Sequence, residues 1–292
     1  MALKPPEAPL PETSQTSVSA DAVERSFARG TVLVAEAVGR PPVPFGYRLL
    51  RPPGLEPGQL YPLILFLHGA GECGSDNSRQ LAYLPAWLAE PAWREAFPCY
   101  VLAPQCRDDA RWSDVSWADA VSTPQAAEPT PDLSAAAEAL ARIVAGEAVD
   151  PQRIYLTGLS MGGFGAWELA TRMPGRFAAL LPICGGGDET TAARLSDLPI
   201  WCFHGAADAV VPVERSRSMI AALQAAGGSP TYSELPGVGH DAWTTAYRDR
   251  AVLEWLFAQR AGLIHSQPPA VQATGWPFRR LDGYSGKRRV ER

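Results

Sequence analysis

A short apolar run from Arg153 to Thr157 passes straight into Gly158-Leu159-Ser160-Met161-Gly162, and a helical pattern over Phe164–Met173 begins at once. Few backbones can fit a strand, a Gly-x-Ser-x-Gly turn and a helix with no spare residues between them. The glycines let the chain reverse sharply and pack closely, so that the serine hydroxyl projects from the carboxyl end of a sheet. The helix that starts there directs backbone N–H groups and its positive dipole end at any negative charge developing beside the serine. Such an elbow needs parallel strands behind it.

Those strands are legible. Pro62–Leu67 and Cys99–Ala103 are short, uninterrupted apolar runs, as strands buried on both faces are. Phe177–Cys184, Ile200–Phe203 and Thr231–Leu235 follow the elbow, and Val32–Val38 and Tyr47–Arg51 come first. Helical patterns span Ser78–Glu90, with Pro85 as a flaw, Asp132–Gly146 with Asp132 as its cap, Val213–Ala226 and Ala246–Gln259. Strand and helix alternate from residue 61 onward. The fold class is therefore α/β: a mostly parallel eight-stranded sheet with helices on both faces, a three-layer α/β/α sandwich.

One folded core over residues 30–262 is expected, between a proline-rich flexible arm (1–29) and a C-terminal tail (263–292) without sustained periodicity. Within the core, residues 104–131 form a connection too long to be idle, and it is expected to shape a substrate pocket. The net charge of −5 argues against nucleic acid as a partner, and the basic end around Lys287-Arg288-Arg289 reads as a solvated tail. No stretch has the length and purity of a membrane span, and Met1–Glu7 lacks the apolar core of a secretory signal. A cytoplasmic location is the default expectation, and a homo-oligomer is left open.

Of the five cysteines, Cys99, Cys184 and Cys202 sit in apolar runs and read as small buried hydrophobes. Cys73 and Cys106 lie in loops free to approach each other, with no bond assignable from sequence. No Cys-x-x-Cys spacing suggests zinc or redox chemistry.

A serine hydroxyl is a poor nucleophile until a base takes its proton. The chain has four histidines. His68 and His204 each end an apolar strand just before a glycine and suit tying down loops, and His265 lies in the tail. His240 stands in a glycine-rich loop after the last strand, at the sheet edge where α/β proteins place their ligands, and is the candidate base. Activity should then decline in mild acid as the base is protonated. Asp208 falls between Ser160 and His240, giving the order Ser, Asp, His, and is the favoured acid; Asp188 and Asp241 compete, although Asp241 better suits loop capping. The oxyanion donors are expected to be the N–H groups of Met161 and Ala70, with Gly69 and Gly71 as alternatives to Ala70. Gln105, Trp112 and Trp243 are candidates for the substrate pocket, with Trp117 another aromatic of the insertion.

Leu67–Glu72, Ala103–Cys106, Thr157–Gly165, Pro182–Gly187, Phe203–Asp208 and Gly237–Trp243 follow one another in order across residues 60–260. On these stretches the chain resembles the α/β-hydrolase superfamily. More narrowly, it resembles bacterial carboxylesterases of the predicted-peptidase, polyhydroxybutyrate-depolymerase-like and feruloyl-esterase-like type. The resemblance implies Ser160 as nucleophile, Asp208 and His240 as its partners, and no cofactor or metal. That family often carries arginine where this chain has Cys73. The expected function is a serine carboxylesterase that hydrolyses small-molecule or oligomeric esters through a Ser-His-Asp triad and an acyl-enzyme. A serine peptidase of prolyl-oligopeptidase-like type and a non-catalytic hydrolase-fold binding protein are the alternatives.

Overall fold

The computed structural model describes residues 19–34 and 41–262. Its sheet is built around β3 (Tyr61–Leu67), every residue of which is buried, as a strand covered on both faces must be. In all, the described strands are β1 (Phe27–Val34), β2 (Val43–Leu50), β3, β4 (Tyr100–Pro104), β5 (Val149–Leu159), β6 (Ala179–Ile183), β7 (Trp201–Gly205) and β8 (Thr231–Leu235). They run side by side in the order β1-β2-β4-β3-β5-β6-β7-β8. β4, β3, β5, β6, β7 and β8 are parallel to one another, and β2 and then β1 close the β4 edge with antiparallel pairings.

Eight α-helices appear among the described residues: α1 (Ala20–Ser26), α2 (Leu84–Leu88), α3 (Pro91–Ala96), α4 (Pro131–Gly146), α5 (Met161–Arg172), α6 (Glu214–Ala225), α7 (Trp243–Arg248) and α8 (Arg250–Ala258). Val23, Leu84, Leu88, Tyr247, Val252, Leu253 and Leu256 of α1, α2, α7 and α8 pack in one cluster with Ile64, Phe66, Tyr155 and Ile183 of the sheet. Alternation sends Leu63, Leu65 and Leu67 to the opposite face, where α4 and α5 pack. The parallel strands therefore leave their carboxyl ends, and the loops that follow them, along one edge.

Local differences from the sequence expectation have local causes. β1 covers Phe27–Val34 rather than 32–38, and residues 35–40 lie outside the described residues. β2 starts at Val43, not Tyr47, although Pro44 lacks an N–H for a ladder. The residue is tolerated because β4 pairs only with Tyr47–Leu50, which leaves Val43–Gly46 with one neighbour. The expected arm of 1–29 is too long. Residues 20–29 form α1 and the start of β1, and Val23 and Phe27 are buried. Residues 1–18 and the expected tail 263–292 lie outside the described residues.

Three helix expectations also shift. Ser78–Glu90 is not one helix: a 3₁₀ turn at Arg79–Leu81 ends at Tyr83, whose φ of 60° is left-handed, and α2 follows with Pro85 in its first turn. α4 is capped by Thr130, whose Oγ1 accepts from Leu133 N–H (3.1 Å), not by Asp132. Asp132 instead forms a buried ion pair with Arg107 (2.6 Å). Ala246–Gln259 is split at Asp249, whose carboxylate caps α8 by accepting from Ala251 N–H (2.8 Å).

Candidate active site

Ser160 sits between β5 and α5 with φ 53° and ψ −121°, a left-handed conformation that serine adopts only when its surroundings impose it. Its N–H donates to the Ile183 carbonyl of β6 (2.9 Å), and its own carbonyl accepts from Gly163 N–H (2.8 Å) and Phe164 N–H (3.2 Å). The flanking glycines answer to close approach. A Cβ on Gly158 would stand 2.2 Å from the Gly162 carbonyl oxygen, and one on Gly162 would stand 1.9 Å from the Leu67 carbonyl oxygen. No larger residue fits either position without moving backbone.

His240 reaches the serine from the loop after β8. Its Nε2 lies 2.9 Å from Ser160 Oγ, and its Nδ1 lies 2.7 Å from Asp208 Oδ2. A carboxylate can only accept, so Nδ1 carries the proton and the Nε2 lone pair faces the serine hydroxyl. The Asp208 side chain has no solvent exposure. Burial by itself would push its carboxyl up. The hydrogen bonds from His240 and from the N–H groups of Val211 and Val210 outweigh burial and hold it below the ordinary aspartate range.

A second histidine touches the same carboxylate. His204 Nε2 lies 3.2 Å from Asp208 Oδ2 and 3.1 Å from the Val211 carbonyl oxygen. Both neighbours are acceptors, which assigns the proton to Nε2 and leaves Nδ1 to accept from Ser216 Oγ (2.7 Å). Burial lowers the pKa of this ring and keeps it neutral. His68 does ties of the other kind. Its Nδ1–H donates to the Gly69 carbonyl (2.6 Å) and its Nε2 accepts from Cys106 N–H (2.9 Å), and burial pushes its pKa down to about 4. The residue missed in reading the sequence is thus His204 as a partner of Asp208. The spacing His204-x-x-x-Asp208 was its signal.

Of the competing acids, Asp241 is at the surface and caps α7 through Thr244 N–H (3.1 Å). Asp188 accepts from Thr190 N–H (3.0 Å) and from Gln125 N–H (2.9 Å), holding the insertion to the loop after β6. The loop after β3 passes beside the serine: a Cβ on Gly69 would stand 3.6 Å from Ser160 Cβ. Among the described residues, Met161 N–H and Ala70 N–H have no backbone acceptor.

Two pocket expectations need correction. Trp112 has no exposed surface, donates from Nε1 to the His68 carbonyl (2.9 Å) and packs edge-on to His68 and Phe45, so it is core rather than pocket wall. Gln105 is buried as a loop brace. Its Oε1 accepts from Asn77 N–H (2.6 Å), and its Nε2 donates to Asp76 (2.9 Å) and to the Glu72 carbonyl (3.2 Å). Trp243, by contrast, stands edge-on to the His240 ring, 5.1 Å between centroids. Trp117 is partly exposed on the insertion.

Cys184, His204 and Asp208 bring ligand-type atoms within 4.8 Å of one another. They fit a metal poorly. Asp208 and His204 are already hydrogen-bonded, and burial pushes the Cys184 thiol up to about 12, against the thiolate a metal requires. No described helix is long and apolar enough to cross a membrane.

The chain is similar to known proteins in sequence and fold. The chain is 37% identical to a thermostable esterase of known crystal structure, with a TM-score of 0.72 over 82% of this chain, and spans 64% of that esterase's length. It is 30% identical to the putative esterase NocK of Nocardia uniformis subsp. tsuyamanensis, over 77% of this chain and 64% of that protein. A probable carboxylesterase of Oryza sativa subsp. japonica is 26% identical over 62% of this chain and 81% of its own length. Residues 58–251 match the family described as Phospholipase/Carboxylesterase, a span that holds Ser160, Asp208 and His240. With its strand order and elbow, the chain belongs to the phospholipase/carboxylesterase family and has the α/β-hydrolase fold.

Proposed function

We propose that this protein is a serine carboxylesterase that works through an acyl-enzyme on Ser160. The observation that carries the reading is the unbroken hydrogen-bonded line from Ser160 Oγ through His240 to Asp208, mounted on a strained elbow. The ester class is supported by relatives and a solved neighbour that are themselves named esterases.

The geometry implies a sequence of proton transfers. His240 Nε2 takes the Ser160 proton as Oγ attacks an ester carbonyl, and Asp208 stabilises the imidazolium that results. Negative charge gathers on the former carbonyl oxygen, where the N–H of Met161, the first residue of α5, and that of Ala70 serve as donors. His240 then protonates the departing alcohol. Water enters, loses its proton to His240 and releases the acid from Ser160. No group beyond these side chains and the backbone is needed.

A panel of p-nitrophenyl esters from acetate to decanoate, alongside feruloyl esters and peptide p-nitroanilides, tests the reading. Ester turnover is expected, and Ser160→Ala should lower kcat by at least about a thousandfold with its circular dichroism spectrum unchanged. Hydrolysis confined to the anilides would establish a peptidase instead. Failure of a fluorophosphonate probe to label wild-type Ser160 would remove the nucleophile from the account.

A further inference from the structure

The loop beside Ser160 contains a thiol that the hydrolytic chemistry does not use. Cys73 ends the 3₁₀ turn Ala70–Glu72, and its N–H closes that turn on the Ala70 carbonyl (3.4 Å). Opposite lies Cys106, two residues past the end of β4. Cys106 is pinned on both sides of its backbone: its N–H donates to His68 Nε2 (2.9 Å), and its carbonyl accepts from Gly74 N–H (3.0 Å). The two chain segments are thus joined one residue beyond Cys73, which sets the Cys73 and Cys106 side chains beside each other, near enough for each thiol to act on the other's ionisation. Cys73 is half-buried and Cys106 fully buried, and both are free thiols.

We propose that Cys73 and Cys106 are a redox-active dithiol. Small disulfides of the glutathione class oxidise it to an intramolecular disulfide that ties the Gly69–Cys73 loop to the segment after β4 and slows chemistry at Ser160.

The two thiols are unequal in the way such a step requires. The neighbouring Cys106 draws the Cys73 thiol below its usual value despite burial. Cys106 is pushed well above its own by the presence of Cys73, by burial and by the Asp132 carboxylate. Cys73, the one with access to solvent, attacks first. Its thiolate bonds to one sulfur of glutathione disulfide, the S–S bond breaks, and one glutathione leaves and takes up a proton. Cys106 then loses its proton, attacks the Cys73 sulfur and expels the second glutathione. Two protein thiols are oxidised by two electrons, and one glutathione disulfide is reduced to two glutathiones.

Joining the sulfurs at about 2.05 Å draws Cys73 inward from its non-bonded position. Because Cys73 N–H holds the Ala70 carbonyl, the turn that presents Ala70 N–H moves with it. Displacements near 1 Å are enough to slow a catalytic step by about a hundredfold. The cross-link stands on the placement of the two cysteines across the Gly74–Cys106 backbone bond, and its effect on turnover rests on the esterase reading proposed above. Cys99, Cys184 and Cys202 are internal controls, since burial pushes each thiol up to about 12.

The test equilibrates the full-length protein in glutathione buffers from reducing to oxidising. Free thiols are then alkylated under denaturing conditions and the peptides mapped by mass spectrometry, with p-nitrophenyl ester kcat measured in parallel. The expected result is a Cys73–Cys106 linked peptide at the oxidising end, with the other three cysteines alkylated. A several-fold fall in kcat should share its midpoint and be reversed by dithiothreitol, and Cys73→Ser should lose both the linked peptide and the response. Full alkylation of Cys73 and Cys106 across the range, or glutathione held on Cys73 with Cys106 alkylated, overturns the dithiol. A linked peptide with constant kcat overturns the coupling to Ser160. Should the protein hydrolyse no ester at all, the esterase reading fails and the peptide map still decides the dithiol.

Discussion

Ser160 holds a backbone conformation that costs about 1–3 kcal/mol in an ordinary setting. The cost is borne because the Ile183 carbonyl, the close-packed Gly158 and Gly162, and the start of α5 leave the residue no other place. Asp208 is equally over-determined, with two backbone N–H donors on Oδ1 and two histidines on Oδ2. Removing the His204 donor should therefore weaken the orientation of His240 rather than substrate binding. His204→Asn, whose amide matches Nδ1, should lower kcat by about tenfold with KM nearly unchanged. His204→Gln, whose amide matches Nε2, should recover most of the loss. Equal kcat in the two variants would reduce His204 to a core residue. Trp112 makes the opposite case. Trp112→Ala should destabilise by about 3–5 kcal/mol in urea unfolding and leave the acyl-chain preference of the surviving enzyme unaltered.

At the scale of elements, the connection over residues 104–131 is tethered at several points to the helices that follow it. Arg107 pairs with Asp132 at the start of α4. Ser113 Oγ donates to Glu168 of α5 (2.5 Å), and Arg172 of the same helix donates to the carbonyls of Ala126 (2.6 Å) and Ala127 (2.9 Å). The pair Arg172–Glu168 (2.8 Å) is almost fully buried, at 10% and 3% exposure, so deleting one partner strands the other's charge. Arg172→Ala should therefore cost about 3–5 kcal/mol. Faster amide hydrogen exchange over residues 113–127 should accompany the loss. Unchanged exchange there would mean that the insertion is held by its other contacts. None of these tethers has a local pattern. The insertion's length announced it, but Arg172, which anchors Ala126 and Ala127, lies 46 and 45 residues further along the chain.

For the whole molecule, the buried neutral histidines set the response to acid. Burial holds the folded His68 near 4 and lowers His204, while both rings titrate near 6.5 once unfolded. Below 6.5 the unfolded chain takes up protons that the fold refuses, so their contribution is complete above that pH. It is lost as pH falls from 6.5 towards 4. His68 alone accounts for a loss on the order of 3 kcal/mol across that window. Urea unfolding at pH 7.5 and pH 5 measures it, and His68→Asn should flatten the difference. Equal stability of the wild type at the two pH values would contradict the neutral buried state.

Short-range physics dictates what can be read from the chain without its fold. Glycines at 158 and 162, a strand before them and a helix after them admit little but the elbow. Uninterrupted apolar runs declare strands buried on both faces, and Ser160, Asp208 and His240 follow these strands in order. The sequence favoured Asp208, and tertiary structure supplied the reason that it rather than Asp188 meets His240: the two follow neighbouring strands and differ in what their loops face. Tertiary structure alone turned Trp112 and Gln105 into core and brace, broke two helical patterns at Tyr83 and Asp249, and set Cys73 against Cys106. These outcomes rest on distances between residues far apart in the chain, and no local periodicity or turn preference encodes such distances.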